Sequence, residues 1–245
     1  MTYLVEVKNL KKNYSSKEAV KGISFNIKEN EILGLLGPNG SGKTTTIGML
    51  LGLLKPSAGE IKINKMSFEN NRIEILEKIN FISPYIELPK KLTVKQNLTV
   101  YGKLYNIKKL KDRIEYLTEK LRLHDLLNRI TGELSSGQKN RASLAKALIN
   151  KPSVLFLDEP TASLDPEIGD FVRTFLEEYK HENKISILLA SHNMNEVSRL
   201  CKSVLMMKNG EIIDKGTPLS LINKHGRANL EEVFLKLSRN ENEFN

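Results

Sequence analysis

The stretch Gly37-Pro38-Asn39-Gly40-Ser41-Gly42-Lys43-Thr44 constrains this chain more than any other. It fits the phosphate-loop pattern G-x-x-x-x-G-K-[ST], which requires a strand before it and a helix after it. Both flanks qualify. The apolar run Ile32-Leu33-Gly34-Leu35-Leu36 reads as a buried parallel strand. The run Thr44-Thr45-Thr46-Ile47-Gly48-Met49-Leu50-Leu51 lacks proline and reads as a helix. Glycine lets the backbone turn with φ > 0 and lets amides approach a phosphate with no Cβ in the way. Those amides and the helix N-terminus together form an anion site. Lys43 is expected to reach the β- and γ-phosphates of a nucleotide, and the Thr44 hydroxyl to ligate Mg²⁺.

Two further strand ends carry chemistry of matching kind. Val154-Leu155-Phe156-Leu157 is apolar enough to be buried on both faces, and it delivers Asp158 and Glu159 to its C-terminal end. Ligands of open α/β sheets sit at such ends. An acid after four apolar residues suits a magnesium-coordinating position, so Asp158 is expected to hold Mg²⁺ together with Thr44. Glu159, one residue on, points elsewhere and can polarise an attacking water. Ser186-Ile187-Leu188-Leu189-Ala190 is another buried strand, and it runs into Ser191-His192. His192 can therefore hydrogen-bond a γ-phosphate, whereas His124, His181 and His225 read as structural or solvated.

The rest of the chain is built around these ends. Leu4-Val5-Glu6-Val7 alternates like a strand, as does the segment from Ala19 to Ile27, with a polar turn at Ser15-Ser16-Lys17 between them. An antiparallel β piece thus precedes the nucleotide core. Pro84 and Pro89 break regular structure, which places a subdomain boundary near residue 84. Residues 93–150 read as helical. Thr93 is expected to cap a helix over 94–107 whose apolar stripe is Leu98, Tyr101, Leu104 and Tyr105. Asp112 is expected to cap a second helix over 114–127. The loop Thr161-Ala162-Ser163-Leu164-Asp165-Pro166 caps a helix over 167–180, and Lys208-Asn209-Gly210 reads as a hairpin turn.

Composition excludes several classes. No apolar run approaches the roughly 18–20 residues of a membrane span, so a transport role would need its path from another chain. The single cysteine, Cys201, excludes an internal disulfide and agrees with a reducing cytoplasm. The net charge of +9 comes from scattered lysines, and aromatics are only 6% of the residues, so direct nucleic-acid binding is not expected. A soluble ATPase acting on ribosomes or nucleic acid remains the alternative that this charge keeps open.

In order along the chain stand the phosphate loop, Leu134-Ser135-Ser136-Gly137-Gln138, Leu157-Asp158-Glu159-Pro160, Ser163-Leu164-Asp165 and His192. With these motifs the chain resembles the ATP-binding subunit of an ABC transporter. The resemblance implies an α/β fold: a P-loop NTPase, RecA-like core with an antiparallel β subdomain and an inserted α-helical subdomain. The implied ATPase domain covers residues 1–225, with core 1–83 and 151–225 and helical subdomain 84–150, followed by a C-terminal helical tail over 226–245. The resemblance makes Tyr14 the aromatic that stacks on adenine. Gly37, Pro38, Asn39, Gly40, Ser41, Gly42, Lys43, Thr44 and Thr45 become the phosphate and Mg²⁺ ligands. Ser135, Gly137 and Gln138 become the signature that contacts ATP held by a second copy, in a head-to-tail dimer. Glu159 becomes the general base, His192 the switch histidine and Asp165 a link between the two sites. A transmembrane permease on a separate chain and a place on the inner face of the cell membrane are implied too. The segment Ala228-Asn229-Leu230-Glu231-Glu232-Val233-Phe234-Leu235 is similar to the tail of export-type subunits.

Two positions depart from the family pattern. Ser136 stands where the signature ordinarily has glycine. The glutamine that ordinarily opens the helical subdomain is absent, and Ile79-Asn80-Phe81-Ile82-Ser83-Pro84-Tyr85 aligns where it belongs. Hydrolysis is therefore expected to be slower than is typical of the family, with Ser83 or Tyr85 covering part of the missing function. Turnover should fall in Ser83→Ala and Tyr85→Phe; a phosphate-release assay showing no loss in either variant removes the substitute role.

Overall fold

The computed structural model describes residues 2–15, 17–84 and 86–238. Ser16 of the expected turn, Tyr85, and residues 239–245 of the expected tail lie outside the described residues. The chain divides into two compact units, Met1–Ile75 with Ser186–Asn245, and Leu76–Ile185.

The first unit opens with β1 (Tyr3–Tyr14), which pairs antiparallel with β2 (Lys17–Lys28) in a register that sets Val7 opposite Phe25 and Lys12 opposite Val20. Val5, Val7 and Leu10 turn inward on one strand, and Val20 and Ile27 on the other. β3 (Ile32–Leu36) is buried at all five positions and leads through the phosphate loop into α1 (Lys43–Leu50). Leu35 and Leu36 are fully buried, and each such leucine contributes roughly 1.5–3 kcal/mol. β4 (Ala58–Ile63) pairs with β1, and the short β5 (Met66–Ser67) closes that sheet. α2 (Arg72–Lys78) runs onward into the middle of the chain.

The second unit begins with β6 (Ile79–Ile82) and continues with α3 (Val94–Leu104), α4 (Leu110–Lys120), α5 (Ser136–Leu148), β7 (Val154–Asp158) and α6 (Pro166–Asn183). β6 and β7 pair in parallel, with Phe81 opposite Phe156. Thr93 caps α3 in a reciprocal box with Gln96: its hydroxyl accepts from the Gln96 amide at 3.1 Å, and the Gln96 side chain accepts from the Thr93 amide at 2.8 Å. Leu104 departs from the expected buried stripe and is 74% exposed, because it lies about 120° around the helix from the buried Leu98. α4 also departs from expectation. It starts at Leu110 behind Lys109 with no side-chain cap, and Asp112 falls inside its first turn. The cause is tertiary: Leu110 fills the notch left by Gly102 of α3, where an added Cβ would meet Leu110 Cδ1 at 2.0 Å. α4 then stops at Lys120, short of residue 127, and Arg122 turns the chain with φ +51° before a 3₁₀ turn at His124–Leu126. Arg113 joins three helices here, donating to the Leu148 carbonyl and, at 2.7 Å, to the Tyr179 hydroxyl.

The chain returns to the first unit with β8 (Ser186–Ala190), α7 (Met194–Leu200), β9 (Ser203–Lys208), β10 (Glu211–Gly216), α8 (Pro218–His225) and α9 (Leu230–Ser238). β3 lies between β8 and β9 and is parallel to both, while β10 pairs antiparallel with β9 through the expected Asn209-Gly210 turn. Gly34 keeps β3 in close contact with α7, since a Cβ there would stand 3.0 Å from Cys201 Sγ. Burial pushes the Cys201 thiol up, far from the reactive range. Among the described residues no helix is long and apolar enough to cross a membrane.

Lys146 of α5 carries a charge in an apolar setting. Its Nζ donates to the Phe81 carbonyl at 3.2 Å and lies 5.0 and 5.6 Å from the ring centres of Phe81 and Tyr101. Burial pushes its ammonium down to about 8 from the ordinary 10.5. Between those two values the unfolded chain holds the proton more tightly, so stability rises with pH across that window. Lys146→Met should therefore raise the melting temperature at pH 7, by about 1 kcal/mol of stability, and the gain should shrink as pH approaches 10. A gain that stays constant from pH 7 to 10 contradicts the buried-charge account.

Candidate functional site

In the first unit, β3 delivers the chain into a loop shaped by glycine. Gly40 and Gly42 adopt φ +80° and +105°, the left-handed side that glycine reaches without strain. A Cβ on Gly42 would stand 2.7 Å from the Ala19 carbonyl, and one on Gly37 would stand 2.4 Å from the Met207 carbonyl. Those atoms are backbone and cannot swing away. Gly40, by contrast, has nothing within 4 Å of such a Cβ, so the loop is open on that side. Pro38 is partly exposed and Asn39 is exposed beside Gly40. The Ser41 amide donates to the Pro38 carbonyl at 3.1 Å, and the Gly210 amide donates to the Ser41 carbonyl at 3.0 Å.

Lys43 is only 8% exposed, and its Nζ donates to the carbonyls of Gly37 at 2.7 Å and Pro38 at 3.2 Å. The ammonium is thus folded back over the loop. α1 begins behind Gly42 with neither a side-chain cap nor an acidic residue in its first turn, which favours an anion at that end. Thr44 is exposed and Thr45 partly so, while the Thr46 hydroxyl turns back to the Gly42 carbonyl at 2.9 Å. Ser41 Oγ is buried with no hydrogen-bond partner, a polar atom that suits a phosphate ligand.

His192 follows β8 and is exposed. Capped turns fix its neighbours. The Ser191 hydroxyl donates to Glu196 at 2.6 Å, and Asn193 caps α7 by accepting from the amides of Asn195 and Glu196. Tyr14 ends β1 with 45% exposure, and Lys12 Nζ lies 5.1 Å from its ring centre. A cation over one face leaves the ring held at the end of the β1–β2 ribbon, whose Ala19 backs the phosphate loop.

In the second unit, β7 ends on Asp158, which is 5% exposed. Glu159 then adopts φ +51°, and Ser163 φ +61°. Left-handed backbone at a residue with a Cβ costs roughly 1–2 kcal/mol, so the surroundings must hold it. The Ala162 amide donates to the Glu159 carbonyl at 3.2 Å, and Asp165 caps α6 by accepting from the Ile168 amide at 2.9 Å. Ser135 caps α5 in a reciprocal box: its hydroxyl accepts from the Gln138 amide at 3.3 Å, and the Gln138 side chain accepts from the Ser135 amide at 3.0 Å. Gly137 is buried against Ile168, 3.2 Å from where its Cβ would be. Ser136 is exposed. A cavity of about 170 Å³ is lined by Ser83, Ser136, Asn140, Ser143 and Glu159 among others, so the segment at Ser83 and the Glu159 loop face one space.

Tyr14, the phosphate loop and His192 fall in the first unit; Ser135, Gly137, Gln138, Asp158, Glu159 and Asp165 fall in the second. Sequence reasoning missed the support beneath the loop. The Asn209-Gly210 turn was legible as a hairpin, but nothing local says that Gly210 donates to Ser41 or accepts from Lys21 at 2.8 Å. It also missed the backbone of Glu159, because glutamate carries no left-handed preference.

The model of the ABC transporter family matches residues 20–162. The ATP-binding protein NatA of Bacillus subtilis (strain 168) is 35% identical over 89% of this chain and 89% of its own length. Nod factor export ATP-binding protein I of Rhizobium sp. (strain N33) is 35% identical over 94% of this chain and 76% of its own. A solved dimeric ATP-binding cassette in a post-hydrolysis state, bound to ADP and Pi, superposes with a TM-score of 0.80 at 26% identity, covering 87% of this chain and 98% of that one. The chain belongs to the ABC transporter family of ATP-binding subunits and is an ATPase. Its α/β fold is that of a P-loop NTPase with a helical subdomain. Given the backbone packing around the loop, Gly42→Ala should weaken ATP binding at least tenfold, about 1.4 kcal/mol. A fluorescent-nucleotide titration giving wild-type affinity would contradict that dependence.

Proposed function

We propose that this ATPase subunit closes on ATP as a head-to-tail dimer and so powers a separate membrane-embedded permease from the cytoplasmic face, moving cargo outward. The observation that carries the reading is the N-terminus of α5. Ser135 and Gln138 satisfy one another there, and Ser136 and the helix end are exposed, ready for an anion presented by a second chain. The dimeric form of the solved cassette and the export named for the Rhizobium relative support the same reading.

The residues divide the work. Tyr14 stacks on the base. The amides of 37–45 and the Lys43 ammonium hold the phosphate charge. The Thr44 hydroxyl and the Asp158 carboxylate are hard oxygen donors of the kind that suits Mg²⁺, one exposed at a helix start and the other buried at a strand end. Held by such donors, Mg²⁺ would neutralise part of the phosphate charge. Glu159 accepts the proton of the water that attacks the γ-phosphorus, and the bond to the β-phosphate oxygen breaks. His192 hydrogen-bonds the departing phosphate, and Asp165 links the two sites. Division of the chain into core (1–83 and 151–225), helical subdomain (84–150) and tail (226–245) matches this assignment of roles.

Glu159→Gln should lower turnover by at least a hundredfold, the size of a general-base contribution. With ATP it should accumulate as a dimer on size-exclusion chromatography; a persistent monomer rules out the closed dimer. The tagged chain, pulled down in mild detergent, should bring a polytopic membrane protein in near-equal amount. Ribosomal proteins or nucleic acid in its place would reject the permease.

A further inference from the structure

Glu159 sits in a backbone conformation that glutamate does not choose, and such conformations persist only where the surroundings dictate them. The bond from the Ala162 amide back to the Glu159 carbonyl is long, at 3.2 Å. A short hydrogen bond to this loop comes from outside it. Asn140 of α5 donates its Nδ2 to the Pro160 carbonyl at 2.6 Å. Pro160 follows Glu159 directly, is buried, and has φ locked by its ring, so a grip on its carbonyl fixes the Pro160–Thr161 peptide plane, one residue beyond Glu159.

The Asn140 amide has only one workable orientation, since its alternative would set oxygen against the Pro160 oxygen. In that orientation Oδ1 is buried with no hydrogen-bond partner. An unpaired buried oxygen weakens the fold, and asparagine is a poor helix former, so this side chain does not serve local stability. It serves the loop. Three residues earlier in the same helix, Gly137 packs on Ile168 in the first turn of α6, just past the loop's other end. The start of the loop, at Pro160, and the start of α6, at Ile168, thereby both rest on the first turns of α5.

We propose that Asn140 is a positioning residue for hydrolysis: by holding the Pro160 carbonyl it aims the Glu159 carboxylate and makes that aim follow α5. The inference rests on the reading of Glu159 as general base. A displacement of the Ser135 end of α5 is transmitted through Asn140 to the residue that activates water, so contact at the signature and activation of water become one event.

Two variants of the purified full-length chain test this. Asn140→Leu has similar volume, lacks the donor and removes the orphaned oxygen; Asn140→Asp keeps the shape and replaces the donor by an acceptor. Both should fold, with the melting temperature of the leucine variant close to wild type. Both should show kcat lowered by about tenfold, with the KM for ATP within about twofold of wild type, the split expected when only the transition state loses support. A kcat within twofold of wild type in both variants overturns the proposal. So does a fall in kcat matched by a rise in KM or by loss of the folded state, which would mark a merely structural residue. Glu159→Gln measured alongside separates the two levels. If it turns over like wild type, the base assignment fails; if it is inactive while the Asn140 variants are normal, the positioning alone fails.

Discussion

The close approach of two backbone carbonyls to the phosphate loop is the constraint on which the rest of the first unit depends. Ala19 on β2 and Met207 on β9 press against Gly42 and Gly37 so tightly that no side chain fits at either position. The loop is therefore wedged between the antiparallel ribbon on one side and the parallel strands on the other. Its shape depends on these neighbours as well as on its own hydrogen bonds. That explains why a five-residue strand, an eight-residue helix and two glycines suffice to present an anion site. The work of holding it is done by residues far away in the chain. Gly210 extends the same logic, since a hairpin turn more than 160 positions later donates to Ser41.

The second unit solves a comparable problem by capping and clamping. Three loops end in side-chain caps, at Thr93, Ser135 and Asp165, and each satisfies amides that the helix itself cannot. The loop after β7 carries left-handed backbone at Glu159 and Ser163, which only external contacts can maintain. One such contact comes from α5, the helix that bears Ser135, through Asn140 and the Pro160 carbonyl. Lys146 and Arg113, on α5 and α4, bring polar groups into the same unit and bind carbonyls there, so the unit contains charge as well as apolar packing.

Much of this was legible in the chain. The phosphate loop, the strand ends at Asp158 and His192, the Thr93 cap and the capping loop over 161–166 all rest on local patterns, where spacing and residue type act over a few residues. The misreadings have two causes. Leu104 was assigned to a buried stripe, though its angle around α3 turns it to solvent. Asp112 was assigned as a cap, though the packing of Leu110 into Gly102 starts α4 earlier. The first follows from the helix's own periodicity, while in the second a contact between helices overrode a plausible local signal.

The sequence by itself determined the elements and the chemistry available at their ends: glycines where the backbone must turn left, a lysine and threonine at a helix start, acids after apolar strands. These follow from steric and hydrogen-bonding rules that act within a few residues. Only the tertiary structure decided which carbonyls crowd Gly37 and Gly42, which amide supports Ser41, and how Glu159 is held. Such contacts join residues far apart in the chain. Their geometry is set by how strands and helices stack, and no local pattern records it.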